Sequence, residues 1–233
     1  MKNKGLVILS GGQDSTTTTL YAREECDELH GITFDYGQKH KIEIKSALKI
    51  AKFFKFKSHE IIKIPNILKS SSPLINKKIK LEKYNSAKEI HKGIEPTFIP
   101  SRNIFFLTIA SNRAVLHNCK IIYTGVCEED YGGYPDCRKI FINSMEEALA
   151  LGITGAKRFI KIKTPLMNLT KKDSVKIAVK KCKNMKEFNK IFKETHTCYG
   201  GLKGGCGKCH ACVLRDKGFK EAGIPDPIWA IRK

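Results

Sequence analysis

Two groups of residues in this chain have the types and spacing to do chemistry, and they lie at opposite ends. Near the amino terminus, "GLVILSGGQDSTTTTLY" (Gly5–Tyr21) sets two glycines, serines, an acid and four threonines behind an apolar run. Gly5–Leu9 has the character of a short buried strand, and Ser10 to Ser15 break it. A helix is expected to begin at about Asp14. A strand, a tight Gly-Gly turn and a helix N-terminus together make an anion cradle: backbone N–H groups aim at one spot, glycine permits close approach, and the helix dipole favours negative charge. Helix capping by Asp14 or Ser15 would account for one residue, not for the glycine pair and the flanking hydroxyls.

The second group is Cys198-x7-Cys206-x2-Cys209-x2-Cys212, with "GGCGKC" at its centre. The glycines permit the tight turn by which one metal takes two thiolates from a C-x-x-C knuckle, and Cys209 and Cys212 share one face of a starting helix. Four thiolates make a closed tetrahedral Zn²⁺ site whose role is folding, so the neighbouring His196 and His210 are expected to be non-ligands. An iron–sulfur cluster is the chemical alternative; the missing Cys-Pro sequel and the knuckle glycines favour zinc. The scattered Cys26, Cys119 and Cys182 are expected to be small buried hydrophobes.

The elements that must position these groups alternate. Apolar segments His30–Phe34, Glu60–Ile64, Lys120–Thr124 and Arg158–Ile162 are predicted strands. Helical periodicity runs through Ile44, Ala47, Leu48, Ala51 and Phe54, through Asn103–His117, and through Met145, Ala148 and Leu149. Thr170 to Asp173, ahead of "SVKIAV", has the form of a helix start. Pro65–Glu95 shows no period and is expected to be a long, partly mobile excursion that covers a site. The pattern predicts an α/β fold, one domain over residues 1–233 with a mainly parallel sheet covered by helices on both faces and a small four-cysteine zinc subregion at 196–215. Ligands of such sheets sit beyond the carboxyl ends of the strands, so the Ser10 loop, Asp35–Gln38 and Gly125–Glu128 should converge on one crevice.

Bulk composition excludes little else. The 233 residues are 41% hydrophobic and hold no apolar run of membrane-spanning length. Met-Lys-Asn-Lys leads straight into the first strand, so a cytoplasmic protein without a signal peptide is expected, and nine cysteines there suit metal or thiol use, not disulfides. The net charge of +20 invites a nucleic-acid reading. Only seven of the 43 basic residues are arginine, and the lysines are spread along the whole chain. Solvated lysine faces are therefore expected in place of a nucleic-acid partner.

"SGGQDS" is not a Walker loop. It resembles the S-G-G-x-D-S signature of the PP-loop (N-type) ATP pyrophosphatases. "FDYGQKH" (Phe34–His40), "PSRNIFFLTIA" (Pro100–Ala110), "GVCEEDYGGYPDCR" (Gly125–Arg138) and the cysteine cluster follow in one order. With the first loop, they resemble the 7-cyano-7-deazaguanine synthases of queuosine biosynthesis over nearly the whole chain, thinly only across Pro65–Glu95. Thr18 stands where that family usually has Cys, and Ser101 where Gly is common.

The resemblance implies an adenine nucleotide alpha hydrolase-like fold and an ATP-dependent carbon–nitrogen ligase. Its substrates would be 7-carboxy-7-deazaguanine and ammonia, its cofactors ATP with Mg²⁺ and one structural Zn²⁺, and its assembly a homodimer. ATP would lie along Leu9, Ser10, Gly11, Gly12, Gln13, Asp14, Ser15, Thr16, Thr17, Thr18 and Thr19. Ser10, Ser15 and Thr16 would give hydroxyls, Gly11, Gly12 and Gln13 backbone N–H groups, and Asp14 a contact to Mg²⁺. Tyr36 or the backbone near Asp35 could meet adenine, while Lys39 and His40 are expected to be solvated. Asp130, Tyr131, Asp136 and Arg138 are candidates for gripping base and carboxylate, with a structural turn as the alternative; Arg102 and Asn103 could bind phosphate or substrate, or Asn103 be just a cap. Asp14, Ser15 and Arg138 are the expected catalytic residues. A PP-loop enzyme that adenylates a base in tRNA is the rival reading.

Overall fold

The computed structural model describes residues 2–39, 41–90, 93–128, 133–155 and 160–229. Five strands form one sheet: β1 (Lys4–Ile8), β2 (Glu28–Asp35), β3 (Ser58–Lys63), β4 (Ile121–Tyr123) and β5 (Lys161–Lys163). Their order is β3-β2-β1-β4-β5 and every pairing is parallel, with Val7 opposite Gly31 on one side and Tyr123 on the other. The order reverses direction at β1, and the loops after β1 and β4 part there. This is the position at which open parallel sheets hold ligands.

Two helices, α1 (Gln13–Glu25) and α2 (Ile42–Phe53), cover one face, where Ala22, Ala47, Ile50 and Ala51 pack on Val7, Leu9 and Leu29. On the other face, α3 (Arg102–Leu116) seats Ala110 and Ala114 on Leu6, Ile32 and Ile122. Beside it, α4 (Lys139–Thr154) places Ile142 against Ile162 of β5. The small residues of α2 and α3 let both helices lie close to the sheet.

Outside α1 lies a further layer of α5 (Lys171–Lys181), α6 (Met185–Phe192) and α7 (His210–Ala222). Its core of Val175, Ala178, Phe188, Ile191, Phe192 and Phe219 closes on Leu20 of α1. Thus α1 is enclosed from both sides, and Thr16 to Thr19 are fully buried. That explains a helix without an apolar stripe: Thr16, Thr17 and Thr19 satisfy their hydroxyls on the carbonyls of Gly12, Gln13 and Ser15, one turn back.

Strand limits fall within three residues of expectation. The predicted helix start at Thr170 is a full capping box, with Thr170 and Asp173 each bonded to the other's backbone. The excursion Pro65–Glu95 differs from expectation in kind. Among its described residues it carries one 3-10 turn (Ala87–Glu89), yet Leu68, Leu74, Tyr84 and Ile90 are buried. Leu68 and Leu74 pack with Ile99, and Tyr84 and Ile90 on Val213 and Leu214 of α7. The segment is anchored irregular structure; its apolar residues are spaced by a path over the surface and follow no helical or strand period. Residues 156–159, including part of the expected last strand, lie outside the described residues.

Candidate active site and metal centre

The loop between β1 and α1 is held in shape from three directions. Gly11 has φ +82°, and a Cβ there would lie 2.3 Å from the Glu43 carbonyl oxygen and 2.6 Å from the Ala47 nitrogen, so only glycine fits. The Gly11 carbonyl accepts the His196 N–H at 2.8 Å, which ties the cysteine-bearing end of the chain to this loop. Across from it, Gly125 after β4 lies so close that a Cβ would come 2.9 Å from the Ser15 nitrogen. Within the loop, Ser10 Oγ donates to Ser15 Oγ (3.0 Å), which donates to the Gly12 carbonyl (3.2 Å).

This loop walls a cavity of about 500 Å³ at the carboxyl ends of β1, β2 and β4. Leu9, Ser10, Gly12, Gln13, Asp14 and Ser15 line it, and so do Arg102, Asn103 and Arg138. The three post-strand loops expected to converge meet here through Ser10, Tyr36 and Gly125–Glu128. Thr16, Thr17, Thr18 and Thr19, expected to meet ATP, do not line it: they are buried behind the loop. Asp136 also does not line it. Its Oδ2 accepts the Asn103 N–H at 3.2 Å and so caps α3 from outside the helix, while Asn103 Nδ2 donates to the Asp136 carbonyl (3.2 Å) and to Cys137 Sγ (3.5 Å). Asn103 is accordingly not the cap of α3 but its second residue. Asp130, Tyr131 and His40 lie outside the described residues.

Lys171, Tyr134 and Tyr199 line the cavity without a sequence signal of their own, beside the expected Gln13, Tyr36 and Arg102. Lys171, the first residue of α5, reaches Asp14 with Nζ 2.7 Å from Oδ2. Gln13 is 3% exposed with its Nε2 unbonded, a donor held out of water beside the loop. Tyr36, Tyr134 and Tyr199 surround Arg102. Burial works against the Arg102 charge, but those hydroxyls and Asp136 outweigh it and hold the guanidinium more firmly protonated than usual. Tyr36 is pushed up by burial and then by Glu43, so it remains a donor. His210, the first residue of α7, is pushed down to about 4 by burial and by the Lys171 charge, leaving a neutral imidazole with Nε2 unbonded. A capping box can announce where α5 starts; that the start faces Asp14 depends on packing alone.

The four clustered cysteines come together. Cys198, Cys206, Cys209 and Cys212 have all four Sγ within 4.8 Å of one another, with the Cys206 and Cys212 sulfurs 3.9 Å apart. A tetrahedral ion with bonds of about 2.3 Å needs sulfurs about 3.8 Å apart, so the donor set fits a metal in both chemistry and spacing. Cys198 is held towards the thiolate by the thiols of Cys209 and Cys212. His196 is turned to the Cys198 carbonyl (Nε2 at 2.9 Å) and His210 to the cavity, so neither joins the set. All nine cysteines are free of disulfides. Of the remaining five, Cys127 and Cys137 line the cavity.

A parallel sheet with a glycine-serine anion loop after its first strand, a cavity at the strand ends and a four-cysteine centre beside it defines an α/β protein of the PP-loop ATPase class. Residues 4–223 match the family described as queuosine biosynthesis protein QueC, and the chain belongs to that family. It is 49% identical over 230 residues to a 7-cyano-7-deazaguanine synthase of Gloeobacter violaceus, covering 99% of this chain and 97% of that one. A 7-cyano-7-deazaguanine synthase of Acetivibrio thermocellus is 41% identical over 227 residues, covering 97% and 96%. Among solved structures, the predicted subunit of a tRNA methyltransferase from Methanocaldococcus jannaschii aligns with a TM-score of 0.46 and 21% identity over 74% of this chain and 72% of that one. Among the described residues no helix is long and apolar enough to cross a membrane.

Proposed function

We propose that this chain is an ATP-dependent ligase that converts 7-carboxy-7-deazaguanine and ammonia into 7-cyano-7-deazaguanine. The observation that carries this reading is that one cavity joins an anion loop to Arg102 and Arg138 from other elements, in a chain that aligns over nearly its whole length with synthases of that name. The substrate carboxylate attacks the α-phosphorus of ATP; the bond to the bridging oxygen breaks, and its electron pair leaves with diphosphate. Ammonia then adds to the acyl adenylate and expels AMP, giving the amide. The amide oxygen then attacks the α-phosphorus of a second ATP and displaces diphosphate; AMP leaves carrying that oxygen as the nitrogen gives up two protons, and the nitrile remains.

Ser10, Gly12, Gln13 and Ser15 hold the phosphates at the N-terminus of α1, where fixed donors favour charge as it develops. Mg²⁺, beside Asp14, would offset the triphosphate charge. Arg102 and Arg138 bind the carboxylate of the base, and the tyrosines around Arg102 fix its guanidinium in place. The four thiolates would hold Zn²⁺ as a structural ion, and the His196 N–H close by bonds to the Gly11 carbonyl. Nine free cysteines suit the reducing cytoplasm.

Incubation with ATP, ammonium and the carboxylated deazaguanine should yield diphosphate and a product of nitrile mass. Diphosphate release that depends on added tRNA instead would overturn this substrate; none with either acceptor would overturn the ligase.

A further inference from the structure

Resting on the ligase reading, we propose that a small side cavity lined by Glu82, Tyr84 and Glu95 is the ammonium site of this enzyme. It captures the cation, takes one proton from it and releases ammonia past His210 into the main cavity.

Three observations lead there. First, the space has the right size. The side cavity has a volume of about 10 Å³, room for one molecule the size of water, and ammonium is such a molecule. Nucleotide and carboxylated base are both far too large for it. Second, the lining suits a small cation that donates hydrogen bonds. Tyr84 Oη lies 2.6 Å from Glu82 Oε2 and 3.1 Å from Glu95 Oε2, so two carboxylates share one hydroxyl proton. Glu95 is 2% exposed, and away from water its charge is little screened. Thr97 adds a hydroxyl to the same wall.

Third, the side cavity adjoins the site of reaction. Tyr199 and His210 line both cavities. His210 is 6% exposed, and its Nε2 has no hydrogen-bond partner among the described residues, so a polar atom is held out of water in the wall between the two spaces. The wall is rigid: the Tyr84 N–H donates to the Lys208 carbonyl at 2.7 Å, and Tyr84 packs on Val213 and Leu214 of α7. The irregular excursion is thereby anchored where it delivers its acids.

The chemistry asks for such a site. Ammonium has no lone pair with which to attack an acyl adenylate; one N–H bond must break first, its electron pair staying on nitrogen. Burial disfavours an ammonium–carboxylate pair relative to ammonia and a carboxylic acid. Glu95 accepts the proton, and the Tyr84 hydroxyl passes one on to Glu82, which is exposed and returns it to water. Neutral ammonia moves on past His210.

The test uses the full-length, metal-loaded protein with Glu95→Gln, Tyr84→Phe and, as a surface control, Glu89→Gln. Hydroxylamine serves as a second nucleophile because it is neutral near physiological pH and already has its lone pair. With ATP and the carboxylated base, Glu95→Gln should raise KM for ammonium about 10-fold or more, while hydroxamate formation from hydroxylamine matches the parent. Tyr84→Phe keeps the packed ring and should lower kcat/KM for ammonium alone; it decides by the same comparison if Glu95→Gln fails to fold. Glu89→Gln should match the parent with both nucleophiles. The parent's melting midpoint should rise more with ammonium chloride than with sodium chloride at equal ionic strength, and Glu95→Gln should abolish that difference. Equal loss with both nucleophiles, no loss with either, or no ammonium-specific stabilisation of the parent would mean that the cavity holds a structural water only, and the proposal falls. Should the parent show the ammonium-specific shift yet release no diphosphate with the carboxylated base, the substrate assignment falls while the cation site stands.

Discussion

Asp14 is the residue on which the reaction and the resting structure make opposite demands. In the structure it faces Lys171; in the proposed reaction it would face a highly charged nucleotide. It sits on a partly exposed first turn, so removing it should leave the fold standing. Asp14→Ala is expected to lower diphosphate release about 100-fold or more while the melting midpoint shifts little; retained turnover would remove Asp14 from the mechanism. Arg102 differs, because its value lies in shape as well as charge. Three tyrosines surround a planar guanidinium, and lysine keeps the charge but loses the fork. Arg102→Lys should raise KM for the carboxylated base about tenfold or more and leave ATP affinity intact. An ATP effect of equal size would move Arg102 to the phosphate site.

At the scale of elements, two junctions decide whether the cavity forms. The first is the start of α3. Ser101 adopts φ +64°, a left-handed conformation that costs a side chain about 1 kcal/mol, and it makes no side-chain cap; Asp136 performs that task instead. Ser101→Gly should therefore be neutral or gain up to about 1 kcal/mol, measured by urea unfolding, and a loss would mean that the serine has an unrecognised partner. The second junction is the four-cysteine centre. Cys206→Ser should lower metal content and the melting midpoint together, and a chelator should reproduce the effect on the parent. Because His196 N–H holds the Gly11 carbonyl, metal loss should also weaken ATP binding, an effect that a metal centre isolated from the cavity would not produce.

For the whole molecule, pH tests how the sheet is held together. His59 is held below the usual histidine range by burial, and His117 likewise by burial and by the neighbouring His30. His117 stacks on His30 at 4.2 Å, and His59 Nε2 lies 2.8 Å from the Thr33 hydroxyl. A lowered folded-state pKa means that the unfolded chain takes up the proton first as pH falls. The stability these groups contribute is complete above about pH 6.5 and declines as pH drops through their folded values. Urea midpoints at pH 5.5 should therefore lie below those at pH 7.5, and His59→Asn should flatten the difference. An unchanged pH dependence in that variant would place its cause elsewhere.

The sequence by itself determined the parallel α/β class, the anion loop at Ser10–Ser15 and the set of four clustered cysteines. Each is written in neighbouring residues: an apolar run beside glycines, or thiols at knuckle spacing. Tertiary structure alone decided the rest. Thr16 to Thr19 have the chemistry of phosphate ligands and are buried because α5 to α7 close over α1. Asp136 has the chemistry of a base-binding acid and caps α3 instead. Lys171, 157 residues from Asp14, meets it at 2.7 Å. Local patterns report what a few consecutive residues can do; which distant groups face one another depends on how the layers pack, and no short stretch of chain records that.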